Sequence, residues 1–516
     1  MVDRWNSQPI SCVGGLVLDT DTLLQGTQFP GTARQLQNFE PDIAGGYRRV
    51  SGFTKYDSNI VADASSNPIL GLKVAMGGVF ACRKIAAGTD NRIYYSTGAG
   101  WTRVTTTARP GAVTKARFTS YSLSAPVVIQ CDGVNPAWKW SGGVETTING
   151  VGAPTNPKYA RLFKGRLALA GYGTGDKLSL SAANADTDFT GASGAIEFNV
   201  GDTIKGLAVF RGTLVIFCER SIKRLTGSTS ADFAIESVTE FIGCVSEDTI
   251  QEVGGDLQFL ATDGVRSYEA TTRIGDIELG LISKAIQPLI SNVLSIGYTE
   301  DEFSSCAIRK KSQYRLFINN SSVGDTDNTN FLGRLTDTPV TSHGQFEWAL
   351  LVGFKAYSAD SQYTSNTEIA IFGHTTNGYV YRMESGNTWD GTNIEALYRT
   401  PDLTLSDSTL RKVFHKIHMF TLVEGDINMD ISLLLDREDV NIIQPSAINV
   451  GQTGGTSTYG SAIYDTDVYG VFIYPNFKKN LIGLGYFGAF LFYCNNDSAP
   501  FRIDSFVISF ALKGRR

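Results

Sequence analysis

Histidine is nearly absent from this chain: only four occur in 516 residues, namely His343, His374, His415 and His418. The sequence has no metalloprotease helix motif, no Walker loop and no serine in a nucleophile elbow. His415 and His418 lie close together, but no further ligand follows at metal-site spacing, so a solvated strand face is favoured over a metal pair. We therefore predict a chain that is not an enzyme, with no catalytic residue, no metal and no cofactor.

Long apolar runs are also missing. The longest, residues 481–493, is interrupted by glycines, and the first residues lack the basic-then-apolar layout of a signal peptide. The seven cysteines are odd in number and scattered, which argues against a disulfide framework and against a zinc ribbon. We expect synthesis in a reducing cytoplasm and no membrane span.

The chain has no excess of basic charge. Its 45 basic and 51 acidic residues give a net charge of −6. Proteins that grip nucleic acid over their whole surface are usually basic, because affinity comes from neutralising phosphates. Four short basic runs are best interpreted as solvated faces, with interface or nucleic-acid contact as the minority alternative; they are residues 309–311, 411–412, 478–479 and 514–516.

Glycine turns and β-favouring side chains are abundant instead. The chain has 54 glycines and 11% aromatic residues, while only 19% of its residues are charged. A short apolar strand, a tight turn and a second apolar strand recur most clearly at residues 161–170, 207–217, 257–268 and 371–381. Glycine supplies the positive φ that such turns need, as in Asp263-Gly264 and Asn377-Gly378. Hairpins recurring at irregular intervals of roughly 40–50 residues predict the blades of a β-propeller.

The spacing and length of the predicted strands divide the sequence into three parts. Residues 1–57 form an N-terminal β arm, residues 58–391 the propeller, and residues 392–516, with longer strands, a C-terminal β-sandwich-like domain. One helix is predicted over 281–294 with Ser283 as its cap, although Pro288 interrupts it. The fold class is therefore all-β.

Five phrases of the sequence occur in an order that resembles the tail nozzle, or tubular-protein-B-like, β-propeller family of short-tailed bacteriophages (podoviruses). The first contains Pro41, Gly45-Gly46 and Arg48-Arg49, and the last is followed by Asp390-Gly391, Thr400-Pro401 and Lys412. Together they cover most of residues 38–420: they are residues 38–52, 161–189, 201–227, 243–266 followed by 281–283, and 377–386.

The resemblance implies a structural protein of the virion tail, a nozzle subunit that forms a ring, commonly a homohexamer, below the tail adaptor protein and beside tail fibres. The ring is a conduit and gate that retains the packaged genome and passes it during DNA ejection. Contact with genomic DNA would be transient and not sequence-specific. An acidic chain suits such a lumen, because each neutralised phosphate would add drag.

Site expectations follow from these phrases. Arg48 and Arg49 are the assembly-interface candidates, since alternation sends them to opposite faces and one of them could pair with an acid of a neighbouring subunit or of the propeller. Asp325, Asp327 and Asn328 are the channel-loop candidates, together with the polar insertion 451–462; outward surface loops are the alternative. The same acidic stretch begins like a calcium loop but lacks the glycine and glutamate of an EF-hand, so a solvated loop is favoured.

A carbohydrate-binding or polysaccharide-degrading tail propeller is the alternative function. Propellers host such activities, and aromatic side chains stack on sugars. The same aromatic side chains also fill blade cores, which is their more common role in propellers. The candidates are Trp101, Trp138, Trp140, Trp348 and Trp389.

Overall fold

The structure, a computed structural model, describes residues 5–62, 66–85, 90–107, 109–269, 271, 280–319, 329–337, 339–340, 345–452 and 476–513. It is an all-β protein: a β-propeller with an N-terminal β arm and a C-terminal β-sandwich-like domain. The arm contains β1 (Asn6–Ser11), α1 (Thr22–Gln28), β2 (Gln35–Gln37), β3 (Phe39–Pro41), β4 (Tyr47–Arg49) and β5 (Phe53–Lys55).

The first four blades are four-stranded antiparallel meanders. They are β6–β9 (Ile69–Ala75, Gly78–Lys84, Asn91–Ser96, Thr102–Arg103), β10–β13 (Arg117–Ser122, Pro126–Cys131, Ala137–Ser141, Val144–Ile148), β14–β17 (Tyr159–Phe163, Arg166–Tyr172, Lys177–Leu180, Ile196–Asn199) and β18–β21 (Ile204–Phe210, Thr213–Cys218, Ile222–Thr226, Ala234–Thr239).

Three further blades complete the propeller, so the described residues form seven in all. The fifth has three strands, β22–β24 (Gln251–Val253, Asp256–Ala261, Gly264–Ser267), and the sixth four, β25–β28 (Phe303–Ile308, Gln313–Ile318, Asn330–Leu335, Phe346–Leu351). The seventh is β29–β31 (Ala356–Thr364, Thr367–His374, Val380–Met383) with β5 of the arm as its outermost strand. β29 packs against β6 of the first blade and so closes the ring.

The C-terminal domain consists of two sheets packed face to face. One contains β36–β33–β38–β4–β3 with β1 on β38, and the other continues from blade six through β2 into β32–β37–β34–β35. Phe490 and Phe492 of one sheet pack against Phe506 of the other. The strands are β32 (Ile394–Arg399), β33 (Arg411–Val423), β34 (Ile427–Leu435), β35 (Ile448–Gln452), β36 (Asn476–Gly485), β37 (Gly488–Asn496) and β38 (Phe501–Lys513).

All four hairpins singled out in the sequence are confirmed, as β14–β15, β18–β19, β23–β24 and β30–β31. Along the strands of these hairpins, apolar side chains point alternately to the two faces of the blade. They pack between neighbouring blades in separate buried clusters. All seven cysteines are buried free thiols in apolar clusters of the fold, as expected for small apolar side chains.

The predicted start of the helix was wrong. Helix α2 spans Gln287–Ser295, and Pro288 lies in its first turn, where the N–H that proline lacks would have no partner within the helix. Upstream, Leu281 pairs with Arg266 as an extended segment, and the hydroxyl of Ser283 accepts a hydrogen bond from the Val265 N–H instead of capping the helix. Short 3-10 turns lie at Gly191–Ser193, Glu247–Thr249, Lys284–Ile286, Glu300–Glu302, Arg309–Lys311 and Asp436–Glu438.

Candidate functional site

Arg48 and Arg49 lie on β4, between β3 of the arm and β38 of the sandwich. Their side chains have different partners, as strand alternation predicts. Arg48 is partly exposed and makes a two-pronged ion pair with Glu424, with both hydrogen bonds at 3.0 Å, and its Nη1 lies 3.5 Å from Glu40. Arg48 therefore joins the arm to the loop that follows β33 in the same chain.

Arg49 is fully buried. Its guanidinium donates hydrogen bonds to the backbone carbonyl oxygens of Asn496 and Ser498 and, at 3.3 Å, of Ile394. Burial lowers the pKa of Arg49, and the negative charge of Asp497 offsets this loss of hydration only in part. The interface interpretation of Arg49 is therefore corrected: a side chain without exposed surface cannot contact another subunit, and it ties the arm to the sandwich instead.

A buried charge cluster adjoins this junction. Glu40 of β3 accepts hydrogen bonds from Lys311 at 2.5 Å and from Gln313 at 2.9 Å, and lies 3.3 Å from Arg315 of blade six. Lys311 and Arg315 also bind Glu384, at the end of blade seven. Although burial opposes it, this pair of cations lowers the pKa of Glu384 to about 2. The cluster connects the arm with two blades.

The channel-loop candidates Asp325, Asp327 and Asn328 lie outside the described residues, as does 453–462 of the polar insertion. Only Gly451 and Gln452 of that insertion are described, at the end of β35. These expectations stay predictions.

An apolar edge on the sandwich was missed by the sequence analysis. β36 is the last strand of its sheet, pairing only with β33 among the described strands. A groove of about 1000 Å³ runs between β36 and residues 441–448. Leu433 and Leu481 line its floor, so it opens toward the apolar core of the sandwich. Ile482 of β36 is 84% exposed, and Ile443, which lines the same groove, is 92% exposed. Val440, three residues before Ile443, is 96% exposed.

A polar cavity of about 500 Å³ lies on the propeller axis, lined by the first strands of the blades. Arg117 of blade two lies 2.9 Å from both Asp248 and Asp301. Lys115 is buried nearby and donates to the carbonyl oxygens of Phe303, at 3.0 Å, and of Tyr357, at 2.6 Å. These contacts join blades two, five, six and seven around the axis.

Glu247 is a titratable residue that lines this cavity. Its Oε1 lies 2.7 Å from Nη2 of Arg161, which belongs to blade three. Burial raises the pKa of Glu247 to about 7, and the guanidinium of Arg161 opposes that rise. A carboxyl group that titrates near neutrality in a cavity suits general acid catalysis, and an ion pair between blades explains the same contact structurally.

The tryptophans considered for sugar stacking pack within the protein. Trp138 and Trp348 are fully buried, and Trp389 stacks on Phe53 with ring centroids 5.0 Å apart. The half-buried Trp101 donates its indole N–H to the carbonyl oxygen of Asn59 at 3.1 Å. Trp140 is also half-buried and stacks on Trp138 with ring centroids 6.0 Å apart. All five side chains therefore have contacts within the protein.

Metal sites and membrane helices were searched in the described part of the chain. No group of three or more His, Cys, Asp or Glu side chains there is placed to hold a metal ion. None of the described helices is long and apolar enough to cross a membrane.

No protein-family model and no curated protein matches this chain. Among solved structures it is similar to a chain described as the crystal structure of BBS1N in complex with ARL6DN, soaked with mercury. The identity is 9% and the TM-score 0.37, and the match covers 65% of this chain and 97% of that one. Such a distant likeness says nothing about function, and the propeller assignment follows from the sheet topology.

Proposed function

We propose that this chain is a structural virion protein, a subunit of the tail nozzle of a short-tailed bacteriophage. Copies form a ring, most simply a hexamer, that serves as conduit and gate for the genome during packaging retention and ejection. Its partners are further copies of itself, the tail adaptor protein and tail fibres, and its location is the virion tail after synthesis in the host cytoplasm. The order of sequence phrases supports the family, and the apolar edge of the sandwich supports assembly.

The apolar edge is the observation that carries the proposal. Large exposed apolar patches on soluble proteins mark interaction sites, and an unpaired edge strand offers backbone groups to another chain. Among the described strands β36 is such an edge, and its Ile482 and the neighbouring Ile443 expose their side chains there. A head-to-tail contact between this edge and a different surface of the next copy closes a ring when the rotation between copies is fixed.

Assembly is tested by native mass spectrometry and negative-stain imaging of the purified chain. We expect rings of the wild-type protein. The double substitution Ile443→Asp with Ile482→Asp should leave folded subunits that no longer assemble. The matched control is Val151→Asp with Phe241→Asp. Both residues are highly exposed on propeller loops, and the control changes the net charge by the same amount as the edge variant. A wild-type monomer that is also missing from virions contradicts the proposal.

A polysaccharide-binding or polysaccharide-degrading propeller is the second candidate, and the axial cavity with Glu247 favours it. In that case Glu247 would be the general acid. Incubation with capsular polysaccharide of the host should then release reducing ends, and Glu247→Gln should abolish that release. We expect no release, since Arg161 pairs with Glu247 and the axis is crossed by ion pairs.

A further inference from the structure

The outer face of the six-stranded sheet of the sandwich brings together basic side chains from distant parts of the sequence. Lys478 of β36 lies directly opposite His418 of β33, and Arg411 of β33 lies opposite Lys513 of β38. Directly opposed residues in antiparallel strands share a face. We call Arg411, His415, Lys416, His418, Lys478 and Lys513 the cationic face.

The cationic face has no matching acids. β1, β33 and β36 contain no aspartate or glutamate, and Asp504 of β38 bonds to Arg502 at 2.5 Å. Among the described residues, no carboxylate forms an ion pair with the four lysine and arginine side chains of the face, all of which are exposed. In a chain with net charge −6, this segregation leaves a strong local positive field.

Aromatic rings flank the histidines of the face. Trp5, just before β1, stacks on His415 with centroids 4.0 Å apart, and Phe420 lies 4.7 Å from His418. Both histidine rings already have a partner, so what the face offers to a ligand is the positive charge of its lysine and arginine side chains, next to the exposed Ile482 of the apolar edge.

We infer that the cationic face binds the phosphate backbone of nucleic acid without reading its sequence. Three of the four lysine and arginine side chains of the face are lysines. Lysine is depleted in the cores of protein–protein interfaces, and its flexible ammonium group binds phosphate as a point charge. In the part of the chain that the structure describes, no helix packs on this sheet to enter a groove, so readout of bases by a helix is not expected. The identity of the polyanion as the genome rests on the proposed function, whereas binding itself can be measured on the isolated chain.

The test is fluorescence anisotropy of the full-length protein with a labelled 30-base-pair duplex and with one of its strands, from 50 to 200 mM salt. Four backbone contacts per subunit predict a slope of log affinity against log salt of roughly −3 to −4 for the duplex. The duplex should bind more tightly than the single strand, since its charge density is higher. Lys416→Glu with Lys478→Glu should weaken duplex binding at least about tenfold at 50 mM salt and reduce the slope by about 2.

The control carries the same change of net charge elsewhere: Lys164→Glu with Lys310→Glu, two exposed lysines of the propeller. It should retain wild-type affinity. Equal weakening in both variants, or wild-type binding without salt dependence, overturns the inference. The inference is also overturned if the Lys416→Glu with Lys478→Glu variant no longer assembles but binds DNA with unchanged affinity. The cationic face would then be a protein–protein contact. A wild-type monomer that still binds DNA through this face would sink the ring proposal while supporting this one.

Discussion

Phe53 of the arm pairs with Met383 of β31 and thereby places the outermost strand on the seventh blade. The aromatic rings of Phe354, Phe372 and Tyr381 all lie within about 5 Å of the Phe53 ring. At Gly52 a Cβ would lie 2.2 Å from the carbonyl oxygen of Thr388, so the chain enters this strand only because glycine has none. The N-terminal segment thus closes the propeller.

Removing the Phe53 ring should open that closure. Phe53→Ala is expected to lower the free energy of unfolding by about 3–5 kcal/mol, since it empties a buried aromatic cluster. Urea titration followed by tryptophan fluorescence measures the change. Tyr363→Ala, at a half-exposed position of β29, is the control and should stay within about 0.5 kcal/mol of wild type. Identical urea midpoints for the two variants would refute the closure.

The two arm arginines should differ in their effect on folding. Arg49→Ala leaves buried carbonyl oxygens without donors and should cost about 3 kcal/mol of stability. Arg48→Ala loses mainly a partly exposed ion pair with Glu424 and should cost less than about 1 kcal/mol. Thermal unfolding of the two single variants gives the order directly. A larger effect of Arg48→Ala would contradict the burial-based assignment.

The cluster around Glu384 predicts acid sensitivity. An unfolded glutamate has a pKa of about 4.3, whereas the cations Lys311 and Arg315 hold the pKa of Glu384 in the folded protein at about 2. The stabilisation is therefore complete above pH ~4.3 and is lost as pH falls toward 2. Glu384→Gln should be less stable than wild type at pH 6, and the gap should narrow below pH 4. A gap independent of pH would rule out this ion pair as its source.

Glu247 predicts the opposite trend. Its pKa is raised to about 7, so the fold favours the protonated carboxyl group. The stabilisation that the protonated Glu247 side chain gives to the fold is fully present below the pKa of an unfolded glutamate, about 4.3. It is lost as pH rises through 7. Wild-type stability relative to Glu247→Gln should therefore fall between pH 4.5 and 7.5, as measured by urea unfolding at fixed salt. Parallel pH profiles of the two proteins would show that Glu247 does not titrate in this range.

Local chemistry made much of the propeller predictable from the sequence. Alternating apolar residues around glycine turns identify hairpins such as β14–β15 and β18–β19, because turn geometry and pleat periodicity act within a dozen residues. Cys131 and Cys218 end apolar runs of the sequence and are buried free thiols, since a strand interior accepts cysteine wherever a small apolar group fits.

Partners distant in sequence were decided only by the tertiary structure. Nothing local marks β5 as the last strand of the seventh blade or β2 as the link from blade six to the sandwich, because strand pairing depends on which edges packing leaves open. Arginine is usually a surface residue, and only the hydrogen bonds to carbonyl oxygens of the sandwich explain why Arg49 is buried. The basic runs at 411–412 and 478–479 are each unremarkable; antiparallel pairing of β33 with β36 places them on one sheet.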